Sequence, residues 1–207
     1  MANPRDRRRD ILEAALACFT ARGLHATTMD DIRIRSGAST GSIYHHFVSK
    51  EQLAAALYLE ALRDYQAGFV VALAPRVSGE KGVRAAVAYH VRWVERRPDW
   101  ARYLLDTGRH SELMAATQAD VQTLNARFRT HVEAWMAGPV ARGEIARLPA
   151  DLYFAIVVGP AHQFARMWLA GMTQSSIATA VRMLGAAAWQ GVRGDRTAVT
   201  RRGKHAR

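Results

Sequence analysis

Between Thr27 and Lys50 the chain reads TTMDDIRIRSGASTGSIYHHFVSK, a stretch that admits few backbone solutions. Thr28 followed by Asp31 has the form of a capping box, with Asp as a shorter version of the usual Glu or Gln, and predicts a helix start. Met29 and Ile32 fall on one helical face, and Gly37 stands where a helix C-terminus needs a residue tolerant of positive φ. The helix so bounded has only about two turns. Ser39 is placed to cap a second helix, in which Ile43 and Phe47 point inward and Tyr44 and His45 are left for an outside partner. Helix, tight turn, helix is the geometry that fits a major groove.

For a DNA partner the roles follow from side-chain chemistry. The short hydroxyls of Ser39, Thr40 and Ser42 at a helix start can approach base edges or phosphates, and Gly41 lets the backbone come near. His45 is the expected base reader. Tyr44, Lys50 and Thr28 suit phosphates, which fix register without reading sequence. One such helix touches only a few base pairs, so useful specificity calls for two copies about 34 Å apart, or a multiple of that, and hence for a homodimer on double-stranded DNA.

The run Ile32, Gly37, Ser39, Gly41, Ile43, Tyr44, His46, Phe47, followed by Lys50, Glu51 and Leu53, resembles the TetR family of bacterial one-component transcriptional regulators. The departures are Arg33 and Ser36 in place of alanines, Ile34 in place of a polar residue and Ala38 in place of a branched aliphatic. Arg33 must either snorkel outward or alter the packing angle of the two helices. The resemblance implies that Lys50 holds a DNA phosphate and that His46 packs beside Phe47 and the first helix. It also implies repression, an inducer that stabilises a DNA-incompetent spacing of the two reading heads, and dimerisation through a four-helix bundle of the last two helices of each subunit. Gly159, Ala161, Ala165, Gly185, Ala186 and Ala187 would allow close approach in that bundle, although the same apolar excess could instead fill the monomer core.

A formal charge of +11 on 207 residues points toward a polyanionic partner without separating DNA from RNA or an anionic membrane. Its distribution favours the ends: residues 1–50 carry eight Lys/Arg against five Asp/Glu, and residues 191–207 carry six against one. Hydrophobic residues make up 49%, enough for a sizeable core. Cys18, the only cysteine, sits in an apolar helical pattern and reads as a buried thiol. The N-terminal MANPRDRRRD lacks the apolar segment of a secretory signal, and the run Leu152 to Ala161 is too short to span a bilayer, so a cytoplasmic protein with no membrane partner is expected.

Helical patterns follow along the whole chain, without strand-like alternation, and the expected fold class is all-α. Residues 6–22 form a first helix ended by Gly23, and Arg5, Arg7, Arg8 and Arg9 crowd its N-terminus, where the helix dipole disfavours cations. These arginines are either phosphate contacts or a solvated arm. A helix-turn-helix domain is expected over 1–48 and a helical regulatory and dimerisation domain over 49–190, with 49–74 as a linking helix opened by a capping box of Ser49 and Gln52. Later helices are expected at 80–97, 99–107, 111 to about 137, 151–170 and 175–190. A flexible basic tail is expected from 191 to 207.

Other chemistries are weaker. Gly37 to Gly41 matches G-x-S-x-G, but a nucleophile elbow needs a preceding β-strand and here a capped helix precedes it. One cysteine and no H-E-x-x-H give no structural or catalytic zinc pattern, so no metal and no cofactor are expected, nor an enzyme. His90, Trp93, Trp100, Tyr103, Phe128, His131, Trp135, Phe154 and His162 are large side chains with polar tips or neighbours, and are candidates to line a pocket for a small, mainly apolar or aromatic inducer. The competing reading from another class is a helical interaction or nucleoid-associated protein that binds DNA without choosing sequence.

Overall fold

The computed structural model describes residues 4–73, 78–107 and 111–194. Within them lie ten helices: α1 (Pro4–Ala26), α2 (Met29–Ser36), α3 (Thr40–His46), α4 (Lys50–Ala72), α5 (Gly79–Arg96), α6 (Pro98–Thr107), α7 (Ser111–Ala141), α8 (Ala150–Val157), α9 (Gly159–Leu169) and α10 (Ile177–Val192). The protein is all-α; among the described residues strand pairing is limited to one isolated bridge between Ile145 and Arg193.

Packing divides the chain into two compact units, residues 1–64 with 97–124, and 65–96 with 125 onward. The expected reading head over 1–48 lies inside the first unit, which also takes the start of α4, the whole of α6 and the first part of α7. The expected linking helix over 49–74 is α4.

In the first unit, Ile11, Leu12, Ala15, Leu16 and Phe19 of α1 form a buried core with Ile32, Ile43 and Phe47, closed by Leu53 and Leu57 of α4. Cys18 is buried beside them, and desolvation pushes its thiol pKa up, partly countered by Arg35, which leaves it an unreactive apolar filler. Gly23 breaks α1 at φ 80° and ψ 163°, outside the reach of an L side chain. The break brings Thr27 inward, where its hydroxyl donates to the Gly23 carbonyl at 2.9 Å. From α6, Tyr103 stacks on Phe19 with ring centres 5.8 Å apart and donates to the Ala54 carbonyl at 2.8 Å.

In the second unit, Val83, Val87 and Val91 of α5 pack against Ala161 of α9 and Ala180, Ala188 and Val192 of α10. Phe69 of α4 and Leu73 just beyond its end join Ala86 and Val158 in a second cluster, with Tyr65, Tyr89, Phe128 and Trp135 around them. The Trp135 indole lies where a Cβ on Gly82 would stand, so α5 and α7 meet through a bare backbone.

Three boundaries differ from the sequence expectation. The single helix expected over 151–170 is two, α8 and α9, because Pro160 has no N–H to continue the ladder; the Val158 N–H closes α8 on the Phe154 carbonyl at 3.0 Å. The helix expected to end near 137 continues through Gly138 and Pro139 to Ala141, the proline costing one hydrogen bond close to the helix end. The last helix is capped by Ser176 and runs to Val192, whose side chain is buried and whose carbonyl accepts from the Ala146 N–H at 2.8 Å. The expected tail therefore starts later than Gly191, and its residues 195–207 lie outside the described ones.

Candidate nucleic-acid interface

Local chemistry builds the two short helices. The Thr28 hydroxyl accepts from the Asp31 N–H at 3.1 Å while an Asp31 oxygen accepts from the Thr28 N–H at 2.9 Å, a complete capping box in spite of the short acid. Those hydrogen bonds hold the Asp31 carboxyl below its ordinary range, and Arg22 adds an ion pair at 2.9 Å. Gly37 closes α2 in the left-handed region at φ 63°. Ser39 caps α3 by accepting from the Ser42 N–H at 3.2 Å. The Ser49 hydroxyl accepts from the Gln52 N–H at 3.1 Å, and the Gln52 side chain accepts from the Val48 N–H, one residue before the expected return partner.

Ile43 and Phe47 are buried beneath α3, whereas Ser39, Thr40, Gly41, Tyr44 and His45 are exposed and Ser42 is half-buried. This places the hydroxyl-rich start of the helix and its two aromatic tips on the outer side of a rigid core. His46 is half-buried, edge-on to His45 at 5.2 Å and tilted against Phe47 at 6.5 Å. Burial, then His45 and Arg8, lower its pKa. Arg33 runs outward and pairs with Asp30 at 2.7 Å, which answers how a long cation fits where a small residue was expected.

Several cations have partners within the unit. The Lys50 ammonium donates to the His25 carbonyl at 3.2 Å, so a phosphate would compete with, or add to, that contact. Arg7 pairs with Asp10 and Arg9 with Glu13, while Arg8 pairs with Glu60 and lies 5.3 Å over the Phe47 ring. These pairs give the N-terminal arginines a packing role that composition alone did not reveal. The Thr28 hydroxyl, offered as a phosphate contact, is already engaged in its cap on both sides.

The nine candidate pocket residues separate. Trp100 and Tyr103 belong to the core of the first unit. In the second, His90, Trp93 and His162 gather with Tyr65, a residue the sequence did not single out: the Tyr65 and Trp93 rings meet edge-on at 5.1 Å, and those of His90 and His162 lie 5.6 Å apart. Phe128 packs edge-on against Phe69 at 5.2 Å. His131 and Trp135 line a cavity of about 420 Å³ together with Val70, Leu73, Ala134, Gly138, Pro139 and Arg142. Phe154 is 57% exposed on α8.

Burial, with His162 nearby, lowers the His90 pKa from 6.5 to about 4. A base whose folded pKa is depressed contributes stability that is complete above its unfolded pKa and is lost as pH falls toward the folded value. We therefore expect thermal unfolding between pH 6.5 and pH 4 to fall more steeply for the wild type than for His90→Phe. Parallel profiles in calorimetry would remove His90 as a source of acid sensitivity.

Residues 11–57 match the family model described as bacterial regulatory proteins, tetR family. The HTH-type transcriptional repressor KstR2 of Mycolicibacterium smegmatis is 45% identical over 64 residues, covering 31% of this chain and 29% of the relative. The HTH-type transcriptional activator FasR of the same organism is 33% identical over 121 residues, 58% of this chain and 55% of that one. The chain thus spans only about a third to about half of the length of these curated relatives. A TetR family transcription regulator from Marinobacter aquaeolei shares the fold, with a TM-score of 0.75 at 22% identity, over 92% of this chain and 98% of the other. No described helix is long and apolar enough to cross a membrane. Residues 11–57 are thus similar to the N-terminal module of the tetR family of bacterial regulatory proteins, and the described residues share the fold of a solved TetR family regulator.

Proposed function

We propose that the protein is a sequence-specific DNA-binding transcriptional regulator, a repressor that holds a palindromic operator as a homodimer and is released by a small molecule. The observation that carries this reading is α3, whose exposed Ser39, Thr40, Gly41, Tyr44 and His45 are presented by a helix anchored through buried Ile43 and Phe47. An exposed, rigid, short helix beside a capped partner is what a groove reader needs. Repression follows the KstR2 likeness, which is the more identical of the two relatives although the shorter match; FasR carries the opposite sign in its name.

The homodimer rests on α8, α9 and α10. Among the small residues expected at the interface, Ala161, Ala165 and Gly185 are buried within the subunit, Gly185 against Arg84 of α5. Larger apolar side chains are left outside: Leu152 and Phe154 on α8, Met167 on α9 and Met183 on α10 are all exposed. Helix α8, almost wholly apolar in sequence, has no buried residue. Such a surface fits a second copy of the same chain.

Selection of bound sequences from a random DNA pool tests the reading. A palindrome preferred by roughly 10³ or more over bulk DNA is expected; equal affinity for all duplexes would favour the nucleoid-associated alternative. Within the selected site, His45→Ala is expected to change base preference at one position of each half-site, at a cost of about 1–3 kcal/mol per base contact. Lys50→Ala should weaken all sequences alike. Identical binding profiles for wild type and His45→Ala would end the assignment of His45 as base reader.

A further inference from the structure

Among the described residues of the second unit two buried side-chain atoms, His90 Nε2 and Thr173 Oγ1, lack a hydrogen-bond partner, and the first is set in an aromatic cluster that the DNA-binding role does not explain. His90 is 6% exposed, and its Nε2 has no hydrogen-bond partner among the described residues. Its Nδ1 lies 2.8 Å from the Tyr65 hydroxyl. Among the described residues His90 Nδ1 is the acceptor within reach of that hydroxyl, so it donates to Nδ1, and the neutral ring must then carry its proton on Nε2. A buried N–H without an acceptor is costly, and native chains seldom keep one without a use.

Its surroundings define what the acceptor must be. Tyr65 meets the imidazole edge-on, Trp93 packs in turn on Tyr65, His162 stands beside the imidazole, and Phe69, Tyr89 and Phe128 continue the aromatic shell. Leu73 and Trp135 of that same cluster also line the 420 Å³ cavity, so the cavity and Tyr65 border one largely aromatic cluster. An apolar body is favoured beside such a wall. A carboxylate beside His90 would be desolvated next to two imidazoles held neutral by burial; of the nearby cations, Arg142 at the cavity wall is already paired with Glu144 at 2.7 Å and Arg166 acts on His162.

We propose that His90 is the polar anchor of the effector site, its Nε2–H donating to the neutral carbonyl oxygen of a ligand whose body is otherwise apolar. This deepens the reading of the chain as a ligand-responsive regulator and rests on it. Tyr65 is then a positioning residue that fixes the tautomer, and the aromatic shell selects shape.

The test uses the full chain and a matched pair of probes, 2-acetonaphthalene and 2-ethylnaphthalene, alike in shape except for the carbonyl oxygen, with 2-naphthoate as the anionic control. Equilibrium dialysis should show the ketone bound at least ~10-fold more tightly than the ethyl compound, and more tightly than the naphthoate. The preference should vanish in His90→Phe and persist in His90→Gln, which keeps a donor near the Nε2 position. Should His90→Phe fail to fold, nitrogen-detected NMR of the wild type decides: the ketone, and not the ethyl compound, must shift the His90 Nε2–H signal. Equal affinity for the two neutral probes, tighter binding of the naphthoate, a preference that survives in folded His90→Phe, or no binding of any probe near 1 mM would each overturn the proposal. Operator selection is scored separately, so a chain that chooses a palindrome yet treats the probes alike loses this proposal alone.

Discussion

Phe154→Glu combined with Leu152→Glu is expected to give a folded monomer that has lost its operator. Both side chains are exposed, Phe154 at 57% and Leu152 at 43%, so the subunit itself gives up little packing. In a two-fold interface each new carboxylate occurs twice and must be taken out of water without a partner, a penalty of several kcal/mol. Once the subunits part, each half-site is held by a single reading head and the second contact is no longer intramolecular. Operator affinity should then fall by roughly 10³ or more, toward that of bulk DNA. Sedimentation velocity and an operator titration check this on one sample, with circular dichroism reporting the retained helices. A variant that stays dimeric with unchanged affinity would remove α8 from the interface.

The second large effect is expected from Ile43→Ala. Ile43 is wholly buried beneath α3, between the Phe47 anchor and the core of α1 and α2. Removing the branched chain should cost about 2–5 kcal/mol, a large part of the stability of a small domain. Alanine is the better helix former, but that gain is below about 1 kcal/mol and does not offset the cavity. Urea unfolding should show a lowered midpoint, and operator binding should fail where the first unit melts. His45→Ala, two residues away in sequence but exposed, should alter recognition with little change in stability, so the pair separates holding the helix from using it. An unchanged urea midpoint for Ile43→Ala would contradict the packing described for α3.

What could be read in the sequence was what neighbouring residues decide among themselves. The Thr28–Asp31 cap, the positive φ of Gly37 and the Ser39 cap each involve atoms within four residues, and side-chain chemistry specifies them without help from the rest of the chain. The break at Val158 was missed although Gly159-Pro160 is a breaker pair, because the pair sits inside an apolar run that read as one helix. Contacts between distant segments were not legible. Tyr103 and His90 both present an aromatic ring with a polar tip, yet one stacks on Phe19 and bonds the Ala54 carbonyl while the other meets Tyr65 and His162. The pairing of Arg8 with Glu60 and of Lys50 with the His25 carbonyl also depends on segments far apart in sequence. Charge counts therefore did not tell which cations already hold a partner within the chain.

The stacking of Tyr103 on Phe19 bears on the order in which a new chain becomes competent. Helices of seven or eight residues, such as α3 and α2, have no appreciable life outside a packed core, since nucleation alone is unfavourable at that length. Part of that core is contributed by α6, some fifty residues downstream of the reading helix, and a ribosome must release it before Phe19 is covered and the Ala54 carbonyl finds its phenol. A polypeptide cut at residue 57, where the family match ends, would carry every side chain proposed to face the groove while lacking a lid for its own interior. Any attempt to graft the DNA reader onto another protein should therefore carry α6 along with it.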